Sequence, residues 1–214
     1  MIELHHCSDA RSFRALWALE ELGLPYTLHS LPFPPRVHAP EYLQLNPLGT
    51  IPLLVEGDTR MTESAAIVQY LTTRHGPSPL AVGVDEPAYG AWLNWLHFGE
   101  ATLTFPQTLV LRYRHLEPTK RRLPQAADDY AKWFLSRLRH VDRALQHGEH
   151  LCADRFTAAD ISVGYALLLA RTLKLQDGFS PAVTAYWERI SARPAFEAAK
   201  RAQGSELSIE GLTA

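Results

Sequence analysis

Apolar positions follow two different spacings along this chain. Up to about residue 74, short apolar runs alternate with helical patterns. Ile2 to His6 reads as a strand. Arg11 to Leu22 reads as a helix with Phe13, Ala15, Leu16, Trp17, Leu19 and Leu22 apolar, stopped by Gly23-Leu24-Pro25, and Tyr26 to Leu31 reads as a second strand. Ile51 to Val55 and Arg60 to Met61 flank the turn-forming Glu56-Gly57-Asp58, the pattern of a hairpin. A helix follows, capped by Thr62 and apolar at Ala65, Ala66, Ile67, Val68, Tyr70 and Leu71 until Gly76-Pro77 stops it. Beyond that point the strand signal vanishes, and helices are expected at about 88–115, 124–146, 158–174, 181–191 and 194–203. The change of period predicts an α/β domain over 1–76, a Gly- and Pro-containing linker over 77–87 and an all-helical domain over 88–214.

Two local features carry chemistry. Pro52 lacks an amide hydrogen and so is confined to a strand's first residue, an edge or a bulge. In the cis form it would turn the N–H and C=O of Ile51 outward, free to pair with an extended ligand; in the trans form it would only punctuate the loop after Gly49. A few residues on, Glu63 and Ser64 fall in the first turn of a helix, where unpaired N–H groups and the helix dipole favour a carboxylate. Ser64 can donate to the same carboxylate, and Glu63 can accept from an ammonium. The segment thus offers a receptor for a free amino-acid head group, unless both residues merely cap their own helix.

Composition removes several alternatives. With 214 residues, 46% hydrophobic and 21% charged, the chain is of ordinary globular type, and its net charge of -2 provides no basic field for nucleic acid or an anionic membrane. The short basic cluster Lys120-Arg121-Arg122 is followed by Asp128 and Asp129. No apolar run approaches the roughly 20 residues of a membrane span, and the N-terminal Glu3, His5 and His6 do not form a secretory signal. A cytoplasmic protein is expected. Cys7 and Cys152 make neither a disulfide framework nor a metal-ligand spacing, so no metal is expected. Thr157-Ala-Ala-Asp160 reads as a capping box, which makes Asp160 structural.

The segment N-P-L-G-T-I-P-L-L at Asn46 to Leu54, T-E-S-A-A-I at Thr62 to Ile67 and F-T-A-A-D-I-S at Phe156 to Ser162 together resemble the glutathione transferase superfamily. The stretch R-S-F-R-A-L-W-A-L-E-E-L-G-L-P-Y from Arg11 is similar to a bacterial and fungal branch that usually reads S-R-S-x-R-x-L-W-L-L-E-E-L. The resemblance implies a thioredoxin-like N-terminal domain ordered β-α-β-(α)-β-β-α, an all-α C-terminal domain, a cytosolic homodimer and a role in detoxification. The implied ligand is glutathione, γ-Glu-Cys-Gly, with its head group at Glu63 and Ser64 and its backbone at Ile51 and Pro52. His38 and Thr50 then lie near its glycine carboxylate, although Thr50 replaces a common Lys or Arg.

The implied reaction is attack of the glutathione thiolate on a small apolar electrophile. A thiol of pKa near 8.5 needs help to ionise at neutral pH. The branch commonly has a Ser before the Arg of S-R-S, and here Ala10 stands there. Arg11 with Ser12 is the expected replacement, Ser8 lies close by, and the N–H groups of the helix start could add to the effect. The acceptor pocket is expected from the first helix of the second domain, with Phe98, Phe105 and Tyr113 among Trp95, Leu109 and His115. Glu100 and Thr104 on that helix are expected near the γ-glutamyl amine of a neighbouring subunit. A nucleophilic Cys7 would instead make a glutathione-dependent thiol-disulfide reductase or peroxidase, and loss of the hydroxyl at Ala10 is also compatible with a non-catalytic glutathione- or partner-binding module.

Overall fold

The computed structural model describes residues 1–204. Met1–Ala81 and the stretch from Ala192 to the end of the described residues form one compact unit, and Val82–Ser191 form another. The helix expected to end the second domain therefore belongs to the first unit, a departure from the 88–214 boundary, while residues 205–214 of that expected domain lie outside the described residues.

The first unit is built on a four-stranded sheet in the order β2-β1-β3-β4. Strand β1 (Ile2–His6) runs parallel to β2 (Tyr26–Ser30) and antiparallel to β3 (Leu53–Glu56), which forms a hairpin with β4 (Thr59–Met61). Helix α1 (Phe13–Leu22) connects the two parallel strands, α2 (Pro35–His38) and a 3-10 turn at Pro40–Gln44 follow β2, and α3 (Ser64–Arg74) follows the hairpin. This is the thioredoxin-like order the sequence predicts. In the hairpin turn Gly57 takes φ 57, the left-handed region that a side chain disfavours.

Alternation along β1 sends Ile2, Leu4 and His6 to one face and Glu3 and His5 to the other. Helix α1 packs on α3 and on α9 (Pro194–Ala202), the displaced last helix. Phe13 to Leu19 are consequently buried without interruption. Phe196 of α9 meets Phe13 and Trp17 edge-on, with ring centroids 5.3 and 4.9 Å away. Each such fully buried large side chain contributes about 1.5–3 kcal/mol of burial.

In the second unit one long helical stretch runs through α4 (Tyr89–His97), a π segment (Phe98–Thr104), α5 (Phe105–Leu111) and a second π segment (Arg112–Leu116). The sequence predicts a single regular helix here. Pro106 has no N–H to continue the ladder, and Thr104 Oγ1 bonds the carbonyl of Gly99 at 2.8 Å, so the turn widens. Gly99 is obligatory, because a Cβ there would collide with the side chain and backbone of Ser162. Helices α6 (Pro124–Leu145), α7 (Ala158–Thr172) and α8 (Pro181–Ser191) complete the unit, all close to their expected bounds.

The capping box at α7 forms as expected. Thr157 Oγ1 accepts from the Ala159 N–H at 3.3 Å, and Asp160 accepts from the Thr157 N–H at 2.8 Å. Asp160 also accepts from the Leu151 N–H at 3.2 Å and from the Tyr186 hydroxyl at 2.8 Å, which ties α8 and the preceding loop to the start of α7. It is a structural hub, buried in the unit's core.

His6 supplies a pH prediction. It is wholly buried, with Nδ1 sharing a 2.8 Å hydrogen bond with Ser12 Oγ. Burial pushes the imidazole down from 6.5 to about 4, with Gln203 and Asp9 opposing the shift. Between those two values the unfolded chain binds a proton that the folded chain refuses, so stability is lost as pH falls through the window, by up to a few kcal/mol. Urea midpoints measured across it should fall with acid in the parent, and the slope should be shallower in His6→Gln.

Candidate functional site

Helix α3 starts one residue later than the sequence predicts. Glu63, extended at φ -89 and ψ 113, occupies the N-cap position, and Ser64 is the first helical residue, so Thr62 does not cap. The Glu63 side chain makes no cap bond and is exposed, open to a cation. Ser64 is 2% exposed and accepts from Arg14 Nη1 at 3.2 Å, which leaves its own hydrogen to donate. Arg14 itself is wholly buried on α1. An arginine keeps its charge when buried, so a fixed positive charge adds to the dipole at the start of α3.

Arg14 is a side chain of this candidate site that sequence reasoning missed. The available signal was a cation inside the run Phe13-Arg14-Ala15-Leu16-Trp17, where the apolar pattern leaves no solvated face for it.

The loop before β3 is held by Asn46. Its Nδ2 donates to the Thr50 carbonyl at 2.7 Å and its Oδ1 accepts from the Leu48 N–H at 3.2 Å, while the Tyr42 hydroxyl reaches the same Thr50 carbonyl at 2.9 Å. Gly49 has φ 60, and a Cβ on it would meet Arg36 Cβ at 2.7 Å. The Ile51-Pro52 peptide is cis, the form considered from the sequence. The ladder between β1 and β3 ends at His5 and Leu53, so Ile51 lies beyond it. His38, at the end of α2, and Thr50 are both exposed.

Between β1 and α1 lies the tight turn Cys7 to Ser12. The Ala10 N–H donates to the Cys7 carbonyl at 3.1 Å, the Phe13 N–H to Ala10 at 2.8 Å and the Arg14 N–H to Arg11 at 3.3 Å. Those amides, expected to remain open at the helix start, are used by the turn itself. Ser12 likewise departs from expectation as a thiol partner. It is wholly buried, its Oγ bonded to His6, accepting from the Cys7 N–H at 3.2 Å and lying 3.3 Å from the Cys7 carbonyl. Ala10 packs in an apolar cluster with Cys7, Ala39, Tyr42, Ile51 and Leu53. Ser8 and Arg11 remain partly exposed.

Cys7 is 1% exposed, its Sγ 3.6 Å from the Pro32 carbonyl, and burial pushes its thiol up to about 12. A thiol so protonated is no nucleophile at neutral pH. Cys152 is pushed up to about 11 by burial.

Of the residues expected to meet the acceptor, Phe98 packs with Trp95 and His140, ring centroids 5.2 and 5.3 Å away. Phe105 is 55% exposed, and Tyr113 is half-buried with the Arg112 guanidinium 5.5 Å from its ring centre. Thr104 is buried and Glu100 partly exposed.

Among the described residues one group could ligate a metal, Glu3, His5 and His29, whose ligand atoms lie within 4.8 Å of one another. The two imidazoles are stacked, 4.6 Å apart and 16° from parallel, so a metal could not lie in both ring planes without one ring turning.

Residues 10–74 match the family model described as "Glutathione S-transferase, N-terminal domain". Glutathione S-transferase 3 of Zea mays is 31% identical, with 86% of this chain and 86% of that protein aligned. This chain belongs to the glutathione S-transferase family. Glutathione S-transferase 3 of Schizosaccharomyces pombe is 28% identical over 98% of this chain and 91% of its own length. Among solved structures, the glutathione transferase from Methylococcus capsulatus superposes with a TM-score of 0.83 at 27% identity, covering 95% of this chain and 99% of that one. The α/β first unit and helical second unit are the glutathione transferase fold.

The buried Ser12 hydroxyl yields a stability prediction. Ser12→Ala strands the partners of two buried hydrogen bonds and should cost about 1–3 kcal/mol in urea unfolding, with a smaller loss in Ser8→Ala, whose side chain is partly exposed.

Proposed function

We propose that the protein is a glutathione transferase that adds the glutathione thiolate to a small apolar electrophile. The observation that carries this reading is the start of α3, where Ser64 rests on the buried Arg14 and Glu63 stands exposed beside it. That arrangement suits an α-carboxylate and an α-ammonium on one head group, the two charges of a γ-glutamyl terminus. The end of the ladder at Leu53, with Ile51 beyond it, favours a cysteinyl backbone pairing with Ile51. His38 and Thr50 are assigned to the glycine end on their exposure.

For the thiol, the buried Ser12 leaves Arg11 and Ser8 as the groups that act. Arg11 supplies a charge that no practical pH removes, and Ser8 a hydroxyl on the same turn. Phe105 and Tyr113 are assigned to the acceptor on their exposure, together with Phe98, which is half-buried beside Trp95 and His140. The reductase reading is disfavoured by the protonated, enclosed Cys7. A non-catalytic binding module finds its support in Ala10, which stands among apolar neighbours where a hydroxyl is usual in the branch.

We assign the protein to the cytoplasm as a homodimer active in detoxification. Among the described residues no helix is long and apolar enough to cross a membrane. Val37, Leu43, Leu45 and Leu48 are 60%, 39%, 55% and 64% exposed on one short stretch of the first unit, an apolar group of the kind that a second copy covers.

Calorimetry with glutathione should show strong loss of affinity in Ser64→Ala and in Glu63→Ala; unchanged binding in both would remove the site. Thiolate absorbance of bound glutathione against pH should show ionisation below the solution pKa in the parent and a smaller shift in Arg11→Gln. A normal thiol pKa in the parent would favour the binding module. Activity should survive Cys7→Ala, and a glutathionyl adduct on Cys7 would restore the reductase. Sedimentation should give twice the 24.0 kDa chain mass, and a monomer at micromolar concentration would reject the dimer.

A further inference from the structure

The turn that carries Ser8 and Arg11 is held by a part of the chain nearly two hundred residues away. Asp9, in the middle of that turn, has φ 50, a left-handed conformation that a non-glycine residue disfavours. Its backbone N–H donates to Gln203 Oε1 at 3.2 Å, and Gln203 Nε2 donates back to Asp9 Oδ1 at 2.9 Å. Lys200 Nζ, one helical turn earlier, reaches both carboxylate oxygens of Asp9, at 2.9 and 3.1 Å. The Asp9 and Gln203 side chains are almost fully enclosed, 3% and 5% exposed.

The helix that brings them is fixed in register at its other end. Arg193 donates to both oxygens of Glu21 at 2.6 and 2.8 Å, and the Trp17 indole donates to the same carboxylate at 3.0 Å. Phe196 wedges between these anchors and the clamp, against Phe13 and Trp17. Apolar packing alone would hold α9 to α1. A buried charged contact adds little net stability, because desolvation offsets most of the attraction, but it dictates one geometry. Here the geometry dictated is that of a left-handed residue two positions before Arg11.

We propose that Lys200 and Gln203 are positioning residues for the reaction: through Asp9 they set the backbone of the Cys7–Ser12 turn, and thereby aim Ser8 and Arg11 at the glutathione sulfur. This rests on the function proposed above. The three residues bond one another and the turn's backbone, and they are assigned no contact with the ligand. Their effect is on the position of groups that do make that contact, so it falls on the chemical step and leaves the head-group site on α3 alone.

The test is the double variant Lys200→Met/Gln203→Leu, with Lys200→Arg as the conservative control, each checked for folding by thermal melt and assayed well below its midpoint. The expected result is a fall in kcat of about tenfold to a hundredfold. The KM for glutathione should stay within about twofold, since the head-group contacts survive. The bound thiol pKa should rise toward that of free glutathione, and Lys200→Arg should restore most of both quantities. A folded double variant with the parent's kcat and thiol pKa would overturn the proposal, as would a loss of activity that only tracks the folded fraction. Amide exchange in the ligand-free protein separates this outcome from failure of the functional reading. Exchange at Asp9 to Ser12 should accelerate in the double variant whether or not glutathione binds, and unchanged exchange there would remove the clamp.

Discussion

The first unit depends on the burial of α1 from every side. With α3 and α9 packed on it, the stretch Phe13 to Leu19 of α1 has no solvated face, so each polar group there must be satisfied within the protein. Arg14, on the helix, and Ser12, just before it, are the cases that bear on the site. Arg14 resolves its burial in part by reaching Ser64 at the start of α3, and Ser12 by joining His6 on β1 and the backbone of Cys7. The same bonds that make the helix tolerable fix the two turns at which the ligand is proposed to sit. The site's geometry and the core's solvency are therefore one constraint, and a change that relaxes α1 disturbs both turns together.

Much of this was legible in the sequence, for a physical reason. Period-two runs, the Gly23 and Gly57 turns and the Thr157 capping box are local signals, encoded within a few residues, and β1 to β4, α6, α7 and α8 appear close to their expected places. Asn46, Gly49 and Pro52 are local as well, since the hydrogen bonds of Asn46 and the left-handed Gly49 close a single loop. What could not be read is what depends on distant packing. The allegiance of α9 to the first unit is set by Phe196 against Phe13 and Trp17, and its amphipathic pattern fits either unit equally well. The π segment at Phe98–Thr104 follows from Pro106 combined with the bond from Thr104 Oγ1 to the Gly99 carbonyl, of which only the proline stands out in the chain.

The fate of Ser12 shows the same limit at the level of one side chain. A serine at a helix start next to an arginine has two natural uses, toward solvent as a cap or ligand donor, and inward as a strut. The choice was made by His6. Burial keeps that imidazole neutral, and a neutral buried ring needs a partner for its Nδ1. Ser12 Oγ fills that need at 2.8 Å, so it turns inward, and Ser8 and Arg11 are left as the more exposed groups of the turn.

Sulfur chemistry in this protein then has to come from the ligand. Cys7 lies at the end of β1, a few residues before a helix, and two effects that lower a thiol's pKa are missing there. The nearby helix-start amides are spent on the turn's own carbonyls, and the thiol faces the Pro32 carbonyl, an acceptor that favours the protonated form. Desolvation acts in the same direction and leaves the sulfur inert. An outside thiolate does not suffer this enclosure, because it would arrive at the exposed side of the turn, where Arg11 lies. The same turn that encloses Cys7 leaves Arg11 partly exposed, and on the proposed function that is the side from which a ligand's sulfur would meet it.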